Sequence, residues 1–246
     1  DSSISSLTFN KNYNINRLNM KKIILMMMAM IISFASFAQN KDVTRFLGIP
    51  VDGTVASMKQ KLKAKGFKQS PYYKDQLVGR FNGNDVYVHI LENKGKVWRI
   101  SVGDKNFTDE INVRIRFNNL CRQFDNNGKY IPIQNVEDYM IPDDTDVSYE
   151  MAVNNKRFEA AFFQLPSDTT LMQKTVDNIV QKKYTPEQIK NPTEEIVKDV
   201  EAIANNVMYD ILSKRSVWFV INENFGCYSI MIHYENRYNY ADGEDL

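Results

Sequence analysis

The sequence predicts an α+β fold in which antiparallel sheet, built from hairpins and a three-strand meander, is packed by amphipathic helices. Two observations carry this prediction. Several short segments alternate apolar and polar residues and are separated by Asn-Gly and similar turn pairs, whereas other segments repeat their apolar residues at steps of three and four. The predicted order is helix, three strands, helix, two strands, helices, two strands, which indicates a loosely duplicated helix-plus-sheet plan.

The first predicted helix follows a turn at Asp52-Gly53, begins after Thr54 as its N-cap and ends at Gly66. Its apolar face carries Val55, Met58 and Leu62. Strands at about 77–81, 85–91 and 96–102 follow, joined through Asn82-Gly83 and Asn93-Lys94-Gly95. In the last of them Trp98, Ile100 and Val102 alternate, which predicts that they share one face.

The second half of the chain repeats this alternation of periods. A helix from Thr108 to Asn126 is predicted by one apolar face, Val113, Phe117, Leu120, Cys121 and Phe124. A hairpin at about 147–153 and 156–164 would turn at Asn154-Asn155. Helix starts are predicted at Thr185-Pro186 and Asn191-Pro192, and the longest helix at about 193–212. The last hairpin is predicted at about 216–221 and 227–234.

The chain also carries an export signal. Residues 20–38 begin with Met and two lysines, continue as an uncharged apolar run and close on Ser-Phe-Ala, which predicts a signal peptide cut between Ala38 and Gln39. Residues 1–19 are interpreted as upstream sequence translated from a misplaced start, with an extended n-region as the alternative. The first cysteine is Cys121, so no lipid-bearing cysteine lies at the cut. We therefore expect a soluble periplasmic or secreted product that is not a lipoprotein and does not span the membrane.

The expected mature product, residues 39–246, is interpreted as a single α+β domain, with two halves of about 39–130 and 131–246 as the alternative. The full chain has 31 basic and 30 acidic side chains, and removing residues 1–38 takes away four of the former and one of the latter. The remaining 27 and 29 give a formal charge of −2, which offers no electrostatic basis for nucleic-acid binding. No cofactor is expected.

An aromatic tail supplies the first candidate binding site. Tyr234, Tyr238 and Tyr240, with Arg237, could stack on a sugar ring or hold a partner peptide, because tyrosine offers a flat apolar face and a polar tip. The alternative is an aromatic segment packed along the edge of the sheet. The packed segment is the favoured interpretation.

Two acidic runs are weak candidates for a metal. Hard oxygen ligands for Ca²⁺ could come from Asp143, Asp144 and Asp146, or from the tail residues Asp242, Glu244 and Asp245. Neither run has the spacing of a calcium-binding loop, and solvated loop acids are the favoured interpretation. We therefore predict no metal site.

Cysteine and histidine complete the set of reactive residues. An exported protein permits a disulfide between Cys121 and Cys227, although Cys121 on an apolar helix face also fits a buried free thiol. His89 and His233 each lie inside a strand pattern and are interpreted as partly buried structural residues. The sequence has no HExxH, GxSxG, CxxC or phosphate-loop spacing.

Eight stretches distributed along the mature chain carry a family resemblance: FLGIPVDGT, MKQKLKAKGF, GRFNG, NKGKVWRI, IRFNNLCRQF, SYEMAVNNKRFEAAFFQ, VWFVI and NRYNYADGEDL. Through them the chain resembles a group of exported proteins of unknown function from Bacteroidetes of the gut. The resemblance covers nearly the whole mature chain and brings no catalytic residue and no ligand. The opening strand, turn and helix are also similar to modules of the β-lactamase-inhibitor-protein-like fold, which serve in protein binding and envelope assembly.

Export, an aromatic-rich α+β domain and near-neutral charge favour a non-catalytic binding or protein-interaction module of the cell envelope. Its expected partner is an envelope or extracellular protein or a glycan rather than a small molecule. The alternative function is a hydrolase of glycan or peptide polymers that uses acids such as Asp143, Asp144 or Asp242.

Overall fold

A computed structural model describes residues 42–241 of the chain. The predicted signal peptide, residues 1–19 and the tail acids Asp242, Glu244 and Asp245 lie outside the described residues. The described part forms two compact units. The sheet unit comprises residues 42–169 and 208–241, and the helical unit is Thr170–Val207.

The strands and helices of the described residues mostly follow the predicted order. The strands are β1 (Arg45–Phe46), β2 (Ile49–Pro50), β3 (Lys68–Gln69), β4 (Gln76–Phe81), β5 (Asn84–Asn93), β6 (Lys96–Asp104), β7 (Tyr130–Pro132), β8 (Glu159–Gln164), β9 (Ser216–Asn224) and β10 (Cys227–Glu235). The helices are α1 (Val55–Ala64), α2 (Glu110–Asp125), α3 (Val136–Tyr139), α4 (Val147–Ala152), α5 (Thr170–Lys183), α6 (Pro186–Lys190) and α7 (Glu194–Ser213). A 3₁₀ turn, Arg237–Asn239, follows β10.

Eight of the strands form one antiparallel sheet in the order β3-β4-β5-β6-β10-β9-β8-β7, and β1 pairs with β2 separately. The first half of the sheet unit runs α1 and then β3 to β6. The second runs α2 and then β7 to β10, with helices inserted between its strands. The last strand of each half, β6 and β10, pair at the centre of the sheet. The α+β class and the antiparallel meander are thus confirmed.

Local sequence sets the first helix as predicted. The Thr54 hydroxyl accepts the backbone N–H of Ser57, and the amide of Phe67 donates back to the carbonyl of Leu62 after Gly66, which has φ +97°. Met58 and Leu62 are fully buried. The cap and the apolar face therefore agree with each other and with the sheet that they pack against.

Helix α2 supplies the centre of the core. The five residues of its predicted apolar face, Val113, Phe117, Leu120, Cys121 and Phe124, are all buried. The ring of Phe117 meets that of Phe219 edge-on at 5.1 Å, and the ring of Phe124 stacks on Phe162 at the same distance. These contacts join the helix to β8 and β9.

One arm of the predicted hairpin is wrong. Residues 147–153 were expected as the first strand of a hairpin that turns at Asn154-Asn155, but α4 occupies Val147–Ala152. Its N-cap, Asp146, accepts the amide of Tyr149 at 2.7 Å. A six-residue segment is too short for its pattern to decide between periods of 2 and 3.6, and the cap together with contacts to α2 selects the helix.

The face predicted for Trp98 is also wrong. Leu91 pairs with Arg99 and Glu92 with Val97, so Trp98 is an extra residue in β6 that forms a β-bulge. Val97, Ile100 and Val102 face the core, whereas Trp98 lies under the Arg99 guanidinium, 4.2 Å from its ring centre. The bulge therefore places two consecutive side chains on the same side of the sheet.

The helical unit follows its caps. Thr185 and Gln188 form the reciprocal hydrogen bonds of a capping box at the start of α6. The next helix is capped by Thr193, whose hydroxyl accepts the amide of Ile196, and not by Asn191 as predicted. Asp199 binds Lys183 at 2.7 Å and the Tyr184 hydroxyl at 2.6 Å. Within residues 42–241, no helix is both long enough and apolar enough to cross a membrane.

Candidate interaction surface

Four hairpins of the sheet unit turn in two residues with the same backbone geometry. The first turn residue has φ near +50° and the second, always glycine, has φ of +75° to +80°. The four turns are Leu47-Gly48, Asn82-Gly83, Lys94-Gly95 and Phe225-Gly226. Asparagine is a preferred first residue of such turns because it tolerates the left-handed region better than other residues with side chains. A large aromatic residue is the least expected of the four.

The ring of Phe225 makes no stabilising contact that would offset the strain of its left-handed backbone. Its side chain is 98% exposed, so its ring packs against no other part of the described chain. A left-handed backbone disfavours a bulky L-residue by roughly 1–2 kcal/mol. Glycine follows it, and the amide of Gly226 donates to Glu223 at 2.6 Å, so the turn itself is well formed. Neither local geometry nor packing explains an aromatic ring at this position, which points to a role outside the fold.

A partly buried hydrogen-bond network ties this hairpin to two other segments. Glu110 of α2 accepts the amide of Val147 and the hydroxyl of Ser148, each at 2.6 Å. The Ser148 hydroxyl also contacts that of Tyr228 in β10 at 2.7 Å. The backbone of Thr108, just before α2, pairs with that of Tyr228. The start of α2, helix α4 and the β9–β10 hairpin are thus fixed to one another.

Each of these three segments carries exposed apolar side chains. We call them together the apical surface, and their exposed fractions are 53% for Phe107, 60% for Ile111, 53% for Tyr149, 56% for Val153 and 98% for Phe225. Single exposed apolar residues are ordinary, but five on segments tied by one network are typical of a surface that another molecule covers.

A cleft of about 620 Å³ lies between α4 and the β9–β10 hairpin. Met151, Ile221 and Tyr228 contribute its apolar lining, and Arg157 and Glu223 contribute charges. Phe225 directly precedes Gly226, which lines this cleft. The exposed ring therefore stands at the border of a concave, mixed surface that could accept a side chain of a partner.

The opposite face of the sheet from the core holds a polar cluster around Glu235. Its carboxylate accepts from Arg99 at 2.5 Å, from the Trp218 indole at 2.8 Å and from the Ser216 hydroxyl at 3.0 Å. Glu235 is nearly fully buried. All its partners lie within the sheet, so this carboxylate holds strands together rather than presenting a free acid.

A serine and a histidine also meet on this face, which the sequence did not indicate. The Ser101 hydroxyl lies 2.9 Å from Nδ1 of His233, whose ring is tilted over Trp218 at 4.1 Å. Burial, with the nearby Arg99 and Arg157 guanidinium groups, lowers the pKa of His233 to about 3. Such a histidine is a weak base, and the neighbouring Glu235 is engaged with other donors, so the pair is best described as structural.

His89 is similarly placed, and Gln76 lies 3.1 Å from its Nε2. Burial lowers the pKa of this histidine as well. Among the described residues, no group of three or more histidine, cysteine, aspartate or glutamate side chains is arranged to hold a metal ion.

The aromatic tail does not form the joint site that was predicted. Tyr234 is buried in the core, with its ring 4.9 Å from that of Phe46. Tyr238 is half-buried, Arg237 is exposed, and Tyr240 is half exposed with its ring edge-on to Trp98 at 4.9 Å. The four residues are therefore divided between core and surface, because β10 continues through Tyr234 and Glu235 before the 3₁₀ turn begins.

The acids near Asp143 lie on the surface at separate tasks. The Asp143 side chain is 99% exposed and lies 3.8 Å from Arg114, while Asp146 caps α4. Asp144 is exposed.

The two thiols are free, with Cys121 buried in α2 and Cys227 exposed at the start of β10. Burial raises the pKa of Cys121 to about 12.

The apical surface was missed because only one of its residues carries a local signal. Phe225-Gly226 stands where Asn-Gly or Asp-Gly would be expected between two strands. The exposure of Phe107, Ile111, Tyr149 and Val153 depends on contacts between segments far apart in the chain. Compared with known proteins, the chain matches no family model, no curated protein and no solved structure.

Proposed function

We propose that the chain is an exported, non-catalytic interaction module that binds another protein of the cell envelope or extracellular space through the apical surface. The observation that carries the proposal is Phe225, a fully exposed aromatic ring held in a left-handed turn. Phe107, Ile111, Tyr149 and Val153, on the segments tied to this hairpin, would add apolar contacts, and the adjoining cleft would receive a partner side chain. Export rests on the predicted signal peptide and on the resemblance to exported Bacteroidetes proteins.

The proposed anchor has the features of a binding hot spot. Burying an exposed phenylalanine contributes roughly 1.5–3 kcal/mol. Aromatic anchors at the centre of an interface dominate affinity, and the residues around them exclude water. The network of Glu110, Ser148 and Tyr228 would hold the surrounding segments in place before binding, which lowers the entropy lost on association.

The experiment places a photo-crosslinking phenylalanine analogue at position 225 or, as the matched control, at position 94 in the equivalent turn. Each protein is exposed to light in the envelope and secreted fractions of the cells that make it. We expect a discrete protein adduct from position 225 and none from position 94.

The affinity of the identified protein is then measured for Phe225→Asn and Lys94→Asn. We expect a loss of about 10- to 100-fold for the first, from the apolar area withdrawn, and an unchanged Kd for the second. Equal affinities for Phe225→Asn and the wild type would overturn the proposal.

A further inference from the structure

A second cavity lies within the sheet unit, apart from the apical surface. Its volume is about 630 Å³, which is in the range of small-molecule sites. It is bordered by the turn between β1 and β2, the end of β4, the α2–β7 loop and the segment after β8. Leu47, Phe81 and Phe124 contribute apolar surface to its lining.

The charged residues that line this cavity are all cationic. They are Arg45, Lys129 and Arg215, and its lining includes no aspartate or glutamate. Asp42, nearby, lies 3.6 Å from Arg45 and 3.2 Å from Arg215, so one carboxylate is shared by two guanidinium groups. Three cations against one acid leave two positive charges at the cavity.

The two arginines have different tasks. Arg215 is only 1% exposed, and its guanidinium donates hydrogen bonds to the backbone carbonyls of Asp42, Gln164 and Leu165. Arg45 is held by its backbone, because the Gln164 amide bonds both its N–H, at 2.7 Å, and its carbonyl, at 2.9 Å. The Nε of Arg45 is buried 3.6 Å from Asp42 and its Nη1 donates to the Gly48 carbonyl at 3.3 Å, but 41% of the Arg45 side chain is exposed. Arg45 and exposed Lys129 are thus the cations that a bound anion could reach.

The lining of this cavity also contains a pair of tyrosine hydroxyls with an unused hydrogen-bond donor. The Tyr130 and Tyr234 hydroxyls interact, and a hydrogen bond between them would use only one of their two hydroxyl protons. The side chain of Gln164 donates to the Tyr130 hydroxyl at 3.2 Å and therefore uses none. Both tyrosines line the cavity. At least one O–H donor of this pair is consequently without a protein acceptor in the described residues.

From this combination we propose that the cavity binds a carboxylate attached to an apolar body. The carboxylate lies between Lys129, Arg45 and the tyrosine pair, and the apolar body packs on Leu47, Phe81 and Phe124. Charge-assisted hydrogen bonds to a carboxylate are stronger than those to a neutral group, so the charge of the ligand is decisive. The ligand could be a free apolar acid or the C-terminus of a peptide, which share this chemistry.

The proposal is tested by calorimetric titration of the purified protein with two acids and their uncharged counterparts. N-acetyl-L-phenylalanine represents a peptide C-terminus and decanoate a free apolar acid. N-acetyl-L-phenylalanine amide and decanol are the neutral controls. We expect at least one acid to bind at least tenfold more tightly than its counterpart, and the acid that binds identifies the source.

Two variants assign the binding to this cavity. Lys129→Glu changes an exposed side chain and is expected to lower the affinity for the acid by tenfold or more. Lys105→Glu changes an exposed lysine elsewhere in the sheet unit and is expected to leave this affinity unchanged. Tyr130→Phe is expected to lower the affinity for the acid five- to tenfold. No binding of either acid at millimolar concentration, equal binding of acid and neutral counterpart, or an unchanged affinity in Lys129→Glu would overturn the proposal.

Discussion

Replacing Phe225 by Asn should stabilise the fold while it weakens partner binding. The ring is 98% exposed, so its removal leaves no cavity and sacrifices no buried area. The backbone at φ +51° suits asparagine better than phenylalanine, and relief of this strain is worth about 1 kcal/mol. For a protein of this size, that gain raises Tm by roughly 2–4 °C.

Tryptophan fluorescence is a suitable probe of this change. The two tryptophans of the chain, Trp98 and Trp218, lie in β6 and β9, so their emission reports on the sheet unit. Thermal and urea unfolding of Phe225→Asn would be compared with Lys94→Asn, which relieves a turn of the same geometry at φ +48°. Both variants should be more stable than the wild type.

The stability result has a clear refutation. If Phe225→Asn unfolds at a lower temperature than the wild type while Lys94→Asn unfolds at a higher one, the ring makes stabilising contacts within the chain. The ring would then serve the fold and would not be held exposed for a partner. A stabilised Phe225→Asn shows instead that the wild-type residue sacrifices stability, which is a common property of binding sites.

Three further predictions concern buried groups of the sheet unit. Because the pKa of His233 is lowered to about 3, the folded ring stays neutral while the unfolded one protonates below about pH 6.5. Stability should therefore fall by roughly 1.5–2 kcal/mol from pH 6.5 to pH 5, and His233→Gln should remove this part of the pH dependence in urea titrations. Glu235→Gln should destabilise the sheet unit by roughly 2–4 kcal/mol, because Arg99 loses its charged partner, and an unchanged urea midpoint would contradict this. With pKa raised to about 12, Cys121 should resist a thiol reagent that labels exposed Cys227, giving one reactive thiol in the native chain and two in denaturant; two native thiols would contradict the burial of Cys121.

The parts of the fold that could be predicted are those in which local chemistry and burial agree. Thr54 caps α1, and Asn82-Gly83 closes a hairpin, because each residue acts on its immediate neighbours. The face of Trp98 was predicted wrongly because the extra residue of the β-bulge reverses the alternation of inward and outward side chains along β6. The only sign of this bulge in the sequence is the three-residue spacing of Val97 and Ile100, which are both buried.

The candidate sites were less predictable than the fold. The cavity joins Arg45, Phe81, Lys129 and Tyr234, which are far apart in the chain and meet only through the sheet order. Tyr234 was included in the candidate binding site because tyrosine offers a flat apolar face and a polar tip. Its position on the core face of β10 follows from the pairing with β6, which a single sequence does not reveal.

The two halves of the sheet unit offer an internal comparison for Phe225. The β5–β6 and β9–β10 hairpins occupy corresponding places, and each turns in two residues ending in glycine, with Lys94 where the other has Phe225. Since lysine serves this turn equally well, the fold does not require an aromatic ring there. Helix α4 and its cleft belong to the second half, inserted between β7 and β8.

This comparison separates the ring from its surroundings. Placing Lys94→Phe in the Phe225→Asn background moves the exposed ring to the first half, which has no counterpart of α4 between its strands. We expect a folded protein that does not recover partner binding, because an anchor contributes affinity only where the surrounding residues exclude water. Recovery of the wild-type Kd in this double variant would mean that an exposed phenylalanine on any such turn suffices, and that the apical surface around Phe225 is not part of the interface.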